Sequence, residues 1–293
     1  MSRLLIVDGH AYAYRAFHAI RELRGPAGQP TNAIYGFVKM LDKMRAAVRA
    51  SHGVVIWDGG LSESRLASLP DYKAQRPAMP EDLKAQLDEI CSYLAAAGVP
   101  SCQQPGVEAD DVIGVLARQA ADQAWNVVIA SSDKDFMQLV TGRVGLLNPN
   151  DKTGTIWTRE QVVAKSGVEP EQVADWLALM GDTVDNIPGV PGVGPKTAAD
   201  LLKQFGSISV MLTRLHEVKS ARLKAALGAS IETIQRNLEL VRLHDVSCSL
   251  SLAGLVFATP DPEKLRGLYQ RWGFGGMLKT LDERNLVQQA ELI

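Results

Sequence analysis

Short apolar runs that each lead to an aspartate constrain the fold of this chain more than any other feature. The runs LLIV, VVIW and VVIA are followed by Asp8, by Asp58 and, after two serines, by Asp133. Such runs are typical of strands buried on both faces of a parallel sheet, whose carboxyl ends meet at one ligand-binding edge. Carboxylates gathered there repel each other unless a cation such as Mg²⁺ or Mn²⁺ neutralises them. The pattern therefore predicts a metal-dependent enzyme that acts on phosphate.

The composition is that of an ordinary globular protein. The chain has 293 residues, of which 46% are hydrophobic and 22% are charged, which fits one large domain or two smaller ones. Its formal net charge of -2 means that binding to nucleic acid would depend on local basic surfaces. Cys91, Cys102 and Cys248 lack zinc-site spacing and are odd in number, which favours a reducing cytoplasm. No apolar run approaches the ~18 residues that a membrane helix needs.

Strands and helices alternate in the first half of the chain, which predicts a mainly parallel sheet flanked by helices. Apolar residues at helical spacing predict helices over 32–51, 83–98 and 107–121. Two short apolar segments at 145–148 and 155–157 predict a β-hairpin. From about residue 160 onward the pattern is nearly all helical, and residues 196–224 hold six cations against two anions, an excess of four.

The polar stretch from residue 59 to 80 breaks this pattern and predicts a mobile excursion over the sheet. It contains Gly-Gly and three prolines, and a loop this long inside a compact domain is usually functional. Tyr72, Lys73 and Arg76 lie within one turn of each other, so the cations could meet a phosphate and the ring could stack on a base. Taken alone, a solvated basic face is the better explanation of these residues.

Two acidic motifs follow predicted element boundaries. Glu108 and Asp111 would share one face of a helix, with Asp110 beside them. Asp133 and Asp135, two residues apart just past a strand, could face one cation. Acids at a helix start also complement the helix dipole and cap its amides, so each motif alone is ambiguous.

A third acidic motif, Asp182 and Asp185, follows a predicted helix and reads equally well as a polar turn. The acidic motifs are informative only when taken together. Acids after three strands, one helix start and one turn provide enough oxygen ligands for two cations. Two such ions about 3.5–4 Å apart are the usual arrangement for cutting a phosphodiester.

The glycine-rich segment that follows is typical of a helix–hairpin–helix. Gly189 and Gly194 have the separation of a phosphate-binding P-loop, but Pro195 stands where its lysine must be. A helix–hairpin–helix at about 184–206, with its hairpin at 189–196, would instead bring backbone amides at the start of the second helix close to a phosphate. The alternative is a plain turn between two packed helices.

Together these motifs resemble the 5′-nuclease family, which includes the flap endonucleases and the N-terminal domain of bacterial DNA polymerase I. The resemblance spans nearly the whole chain. It implies a PIN-like core at residues 1–175, with a central mainly parallel sheet and a helical arch at about 60–82. It also implies a helical subdomain at 176–293 with a helix–three-turn–helix. The matching segments are LIVDG with YRAFH, YKAQRP, GVEADDVIG, SDKD, LALMGD with DNIPG, GVGPKTA, and the tail at 265–281.

The resemblance also implies roles for individual residues. Tyr72, Lys73 and Arg76 would lie in the arch and act at the reacting phosphate. The hairpin would hold duplex backbone, with a K⁺ ion on its carbonyls, through Gly189, Gly192, Val193, Gly194, Lys196 and Thr197. Acids stand at all nine family metal positions: Asp8, Asp58, Glu108, Asp110, Asp111, Asp133, Asp135, Asp182 and Asp185.

The implied activity is a structure-selective 5′–3′ exonuclease and 5′-flap endonuclease that uses two Mg²⁺ or Mn²⁺ ions in DNA replication and repair. Its partner would be DNA with 5′ flaps, nicks or 5′ ends, bound by a monomer in the cytoplasm at the bacterial nucleoid. A non-catalytic DNA junction-binding module and a small-molecule phosphohydrolase are the alternatives. The chain could be a free-standing nuclease or part of a longer DNA polymerase I.

Overall fold

A computed structural model of the chain describes residues 2–149 and 153–290, with residues 284–290 described by their backbone only. In chain order, the strands are β1 Arg3–Asp8, β2 His52–Trp57, β3 Ser101–Gln103, β4 Asn126–Ala130, β5 Val144–Leu147 and β6 Ile156–Trp157. The helices are α1 Gly9–Ala19, α2 Asn32–Val48, α3 Glu63–Ser68, α4 Glu81–Ala96, α5 Ala109–Asp122, α6 Arg159–Ser166, α7 Val173–Met180, α8 Pro195–Phe205, α9 Ile208–Thr213, α10 Ala221–Ala229, α11 Ile231–Val241, α12 Pro262–Trp272 and α13 Gly275–Ala290. None of the described helices is long and apolar enough to span a bilayer.

The described residues form two compact units, and each unit joins stretches that are distant in sequence. The first unit lies within Met1–Asp58, Met79–Gln103 and Ser249–Ile293, and the second within Gly59–Ala78 and Gln104–Cys248. The predicted boundary after residue 175 divides the chain along the sequence instead, and it stays a prediction.

The first unit contains three parallel strands in the order β3-β2-β1. Residues 4–8 of β1 and 53–57 of β2 are buried, because these apolar runs are covered on both faces. The register pairs Asp8 with Ile56, so Asp8 and Asp58 lie at the same edge of these strands. Helices α1 and α2 supply much of the buried apolar surface around them.

The second unit contains β4 and β5, which are parallel, and β6, which pairs with β5 in antiparallel fashion. This pairing confirms the predicted β-hairpin. Its helices α7 and α11 pack against each other, and the fully buried Asn237 amide of α11 donates to Ala178 O (3.1 Å) and Pro188 O (2.7 Å). Asn237 therefore links α11 to α7 and to the segment that follows α7.

The three predicted helices are confirmed with small shifts of their ends. They correspond to α2, α4 and α5, and α2 stops at Val48 because Arg49 adopts a left-handed conformation with φ of 50°. The stretch from residue 59 to 80 contains a short helix and two buried cationic side chains, and its mobility stays a prediction. Ser62 caps the short helix α3, and Arg65 and Lys73 are buried by ion pairs.

Candidate metal centre and hairpin

Glu108 occupies the N-cap position of α5 and is 1% exposed. Its Oε1 atom accepts a hydrogen bond from the Ser62 amide (3.0 Å) and lies 3.3 Å from Arg65 Nη1. Its Oε2 atom accepts from Lys73 Nζ (2.5 Å) and from the Tyr72 hydroxyl (3.2 Å). Burial acts to raise the pKa of Glu108, but the charges of Lys73 and Arg65 outweigh it and hold the pKa below its usual value. Glu108 is therefore an ionised carboxylate in a buried position.

Lys73 places an ammonium group among carboxylates from two different segments. Besides Glu108, its Nζ atom lies 3.9 Å from Asp110 Oδ2 and 3.9 Å from Asp185 Oδ2. Burial acts to lower the pKa of Lys73, yet these carboxylates raise it above its usual value. The backbone of Lys73 is left-handed, with φ of 56°, and its amide donates to Asp185 O (3.0 Å). Lys73 is therefore fixed both at its backbone amide and at its ammonium group.

Asp133 and Asp135 follow β4, as predicted from the apolar run. The Asp133 side chain accepts from the Asp135 amide (2.9 Å) and caps a short 3₁₀ helix, Lys134–Leu139. The Oδ1 atom of Asp135 is shielded from solvent and has no hydrogen-bond partner among the described residues. Burial raises the pKa of both side chains, and the neighbouring carboxylates raise the pKa of Asp135 further. Among the described residues, no lysine or arginine forms an ion pair with Asp133 or Asp135, whereas Glu108 pairs with two cations.

Asp182 and Asp185 lie in a tight turn, defined here as the Asp182 turn (residues 182–187). Backbone hydrogen bonds between Asp182 and Ile187, of 2.8 and 2.7 Å, close this turn. Both aspartates are 7% exposed; Lys134 Nζ lies 3.2 Å from Asp182 Oδ1, and Arg76 Nη2 lies 2.5 Å from Asp185 Oδ1. The turn that the sequence indicated therefore also carries two buried, ion-paired carboxylates.

The second unit thus brings together seven of the predicted acids, which we call the acid cluster. Asp135 experiences the charges of Asp133, Asp110, Asp185 and Asp182 together. Among the described residues, no group of three or more acidic, histidine or cysteine side chains is arranged as a ready set of metal ligands. Arginine and lysine side chains hold several of the carboxylates instead. The members of the acid cluster are Glu108, Asp110, Asp111, Asp133, Asp135, Asp182 and Asp185.

The donor set nevertheless fits hard divalent cations. Carboxylate oxygens are the ligands that Mg²⁺ and Mn²⁺ prefer. The unpartnered Oδ1 atom of Asp135 and the raised pKa values of Asp133 and Asp135 are what a site for a cation would produce.

A single guanidinium holds both oxygens of Asp111. Its two oxygens accept from Arg65 Nη1 (2.7 Å) and Nη2 (2.8 Å), and its Oδ1 also accepts from the His244 amide (2.8 Å). Both oxygens are therefore already bound by this chain's own donors, although the resemblance places Asp111 among the metal ligands.

The remaining two predicted acids, Asp8 and Asp58, lie in the first unit. The Asp8 side chain accepts from the Ala11 amide (3.1 Å) and caps α1. The Asp58 amide donates to His10 Nδ1 (3.1 Å), which places the proton of a neutral ring on Nε2. Burial lowers the pKa of His10, so the neutral form is favoured.

Tyr72 does not have the exposure that its predicted role requires. Stacking on a base needs an open ring face, but this side chain is 3% exposed and its hydroxyl donates to Glu108. In the structure Tyr72 belongs to the packing around Glu108, and stacking on a base stays a prediction that requires the ring to become exposed.

The predicted hairpin, residues 189–196, divides into a packed part and an open part. A Cβ added at Gly189 would lie 2.1 Å from Met180 O, and one added at Gly181 would lie 2.3 Å from Gly189 N. These glycines therefore let two backbone segments touch. By contrast, a Cβ added at Gly192 or Gly194 would meet nothing within 4 Å.

The hairpin leads directly into α8. Pro195 is the first residue of α8, and its carbonyl accepts from Trp176 Nε1 of α7 (2.9 Å). Lys196 is exposed and Thr197 is half-buried, whereas the Val193 side chain is 6% exposed and packs inside. The open backbone at Gly194 and the Lys196 ammonium are thus the parts of this segment that could meet a ligand.

Sequence reasoning missed Arg65 and Lys134. Lys134 stands between two predicted metal ligands, so its pairing with Asp182 could have been considered. Arg65 lies in a polar stretch without any pattern, and no sequence signal distinguishes it from a surface arginine.

Two family models together match residues 3–263. The model described as 5′-3′ exonuclease, N-terminal resolvase-like domain, matches residues 3–167, and the one described as 5′-3′ exonuclease, C-terminal SAM fold, matches residues 168–263. The strands of each unit and these matches confirm the predicted fold class, a mainly parallel sheet flanked by helices with a helical C-terminal part.

Two relatives and one solved structure agree with these family matches. A 5′-3′ exonuclease from Aquifex aeolicus is 40% identical over 97% of this chain and 96% of its own length. The DNA polymerase I of Bacillus caldotenax is 35% identical over 99% of this chain, which spans 33% of that relative. Among solved structures, a bacteriophage T5 flap endonuclease in complex with DNA and metal ions is similar at a TM-score of 0.68 and 27% identity, over 82% of this chain and 89% of that one.

Proposed function

Because the chain belongs to the 5′-3′ exonuclease family, we propose that it is a structure-selective nuclease that hydrolyses DNA phosphodiesters at 5′ ends and 5′ flaps. The observation that carries the proposal is the acid cluster, in which Asp133 and Asp135 gather negative charge without enough counter-charge. A protein would not maintain such repulsion without a cation to relieve it, since burying unpaired charge is costly.

We propose Mg²⁺ or Mn²⁺ as the cation, with two ions held by the predicted acids of the cluster. Divalent ions bound there would supply an activated water and stabilise charge on the attacking and leaving oxygens. Glu108, Asp110, Asp133, Asp135, Asp182 and Asp185 are the members of the acid cluster that we assign to this role. Asp8 and Asp58 stay predicted ligands from the first unit.

Lys73 and Arg76 are the residues that we assign to the reacting phosphate. Their cationic groups lie beside the proposed ligands, because Lys73 contacts Glu108 and Arg76 contacts Asp185. The Arg76 side chain is 42% exposed, so it can reach a phosphate oxygen from solvent. Attack by water and departure of the 3′ oxygen would leave a 5′-phosphate and a 3′-hydroxyl.

The hairpin is the proposed clamp for duplex DNA. Open backbone at Gly192 and Gly194 and the exposed Lys196 support contacts to phosphates, which position DNA without reading its sequence. A K⁺ ion on the hairpin carbonyls belongs to the same proposal. A role in DNA replication and repair and a cytoplasmic location at the nucleoid would follow from such a substrate, and we propose that a monomer suffices.

A 5′-labelled flap substrate tests the proposal. We expect cleavage near the junction with Mg²⁺, no cleavage with EDTA, and at least a hundred-fold slower cleavage by Asp133→Asn, since loss of a metal ligand costs at least what loss of an outer-shell partner does. Duplex binding measured in Ca²⁺ would be kept. A protein that binds the flap but never cuts it would instead be a non-catalytic junction-binding module.

A further inference from the structure

Arg65 forms a buried, two-pronged ion pair with Asp111. The Arg65 residue is 3% exposed, and its Nη1 and Nη2 atoms donate to Asp111 Oδ2 (2.7 Å) and Oδ1 (2.8 Å). A planar guanidinium matches a carboxylate in this geometry, which a lysine cannot reproduce.

The same side chain also fastens the end of α11. Arg65 Nε donates to Leu240 O (3.1 Å), and Nη2 donates to Arg242 O (2.9 Å). The last carbonyls of a helix lack partners within the helix, and Arg65 supplies them here. Because the His244 amide donates to Asp111, the segment after α11 is held by both members of the ion pair.

Arg65 also reaches the acid cluster. Its Nη1 atom lies 3.3 Å from Glu108 Oε1, which the Ser62 amide also contacts at 3.0 Å. One oxygen of Glu108 is thus turned toward Arg65, and the other is left to face Lys73. One arginine therefore connects helix α3, the acidic start of α5 and the end of α11.

We propose that Arg65 is a positioning residue that orients Glu108 for binding of a divalent cation, and that Asp111 serves as the partner of Arg65 rather than as a metal ligand. This inference rests on the proposed function. This division of labour accounts for the single guanidinium that holds both oxygens of Asp111, whereas Asp135 has an oxygen without a hydrogen-bond partner among the described residues.

Arg65→Lys tests the first half of the inference. Lysine keeps the charge but cannot hold Asp111, Glu108 and two carbonyls together. We expect the half-saturating Mg²⁺ concentration for flap cleavage to rise about ten-fold and Ca²⁺ affinity, measured by titration calorimetry, to fall about ten-fold, as for outer-shell partners of metal ligands. Duplex affinity should stay unchanged, which separates positioning from general damage. Arg118→Lys is the matched control. Arg118 lies on α5 and makes an exposed ion pair with Asp245, so this variant should behave like the unmodified protein.

Asp111→Asn tests the second half. We expect the number of Mn²⁺ ions bound per chain to be unchanged by Asp111→Asn and reduced by Asp133→Asn. Loss of a bound ion in Asp111→Asn would make Asp111 a direct ligand and overturn its reassignment.

Removal of one buried charge can prevent folding, because it leaves the partner charge unpaired. The double variant Arg65→Met with Asp111→Leu replaces both charges and provides a second test of the positioning role. This double variant should fold, as judged by circular dichroism, and should bind Ca²⁺ as weakly as Arg65→Lys. Parental Ca²⁺ affinity and Mg²⁺ requirement in either variant would overturn the positioning role, as would failure of both to fold. If the unmodified protein cuts no flap and binds no Ca²⁺, the proposed function fails instead.

Discussion

Asp135 carries a carboxylate oxygen that is shielded from solvent and accepts no hydrogen bond from any described residue. Burial and the neighbouring Asp133 raise the pKa of Asp135 well above its usual value. A raised carboxyl pKa means that the ionised form is less favourable in the folded protein than in the unfolded chain, so ionisation destabilises the fold at neutral pH. Such a cost is typical of a functional site.

Asp135→Asn is therefore expected to raise the melting temperature in EDTA while it abolishes most cleavage, because the amide removes a repelling charge and a proposed ligand together. Thermal unfolding and single-turnover cleavage of a 5′ flap are the measurements. Asp245→Asn is the control, since its exposed ion pair contributes about 0–1 kcal/mol. A destabilised or fully active Asp135→Asn protein would contradict this account.

The acids of the site could be predicted from the sequence, but their partners could not. Asp133 follows an apolar strand and Glu108 begins a periodic helix, so local pattern places both of them. Arg65 and Lys73 lie 43 and 35 residues before Glu108, and only the folded chain brings them together. The burial of Tyr72 could not be predicted for the same reason, because its sequence neighbours do not indicate it.

At the scale of elements, the backbone of the hairpin lies in contact with the end of α7. Gly189 approaches Met180 and Gly181 so closely that no side chain fits there, whereas Gly194 opens to solvent. The sequence indicates the Gly/Pro turn and the start of α8, but it cannot say which glycine serves packing and which serves access. That difference depends on the neighbouring backbone.

Gly189→Ala and Gly194→Ala should separate these two roles. The added Cβ of Gly189→Ala would collide with Met180 O, so we expect a loss of about 2 kcal/mol or more in the free energy of unfolding, as for overpacking or backbone strain. Gly194 has a negative φ of -99° and open space, so Gly194→Ala should lower stability by less than about 1 kcal/mol. Urea unfolding measures both, and equal losses would contradict the division of the hairpin.

Lys196 belongs to the hairpin, and its replacement tests whether the hairpin binds DNA. Lys196→Ala should weaken binding to duplexes of every sequence and lower the slope of log affinity against log salt by about one. Lys165→Ala on α6 is the control, because Lys165 is also exposed but lies outside the hairpin. Binding is measured by fluorescence anisotropy in Ca²⁺ over a range of salt concentrations. A loss confined to one DNA sequence would argue against a backbone clamp.

At the scale of the whole molecule, the net charge of -2 hides a strong local imbalance. In the part of the chain that the structure describes, the acid cluster has seven carboxylates and four cations in contact with them, an excess of three negative charges. The alternation of strands and helices could be read from the sequence because apolar periodicity is a local property. Helix α3 could not, because ion pairs to distant residues bury Arg65 inside a polar segment.

This imbalance predicts that divalent cations stabilise the protein. At a Ca²⁺ concentration a hundred times its dissociation constant, the free energy of unfolding should rise by about 2.7 kcal/mol per site. Differential scanning calorimetry in Ca²⁺ and in EDTA at equal ionic strength measures the change in melting temperature. The same melting temperature in both buffers would exclude binding at the acid cluster.

The most direct test is an anomalous diffraction map of crystals soaked in Mn²⁺. The account predicts a peak within about 2.0–2.6 Å of Asp135 Oδ1, the range over which hard cations bind oxygen, with Asp133 or Asp185 as a further ligand. A map with no peak at the acid cluster, or with peaks only at unrelated surface acids, would contradict the central claim.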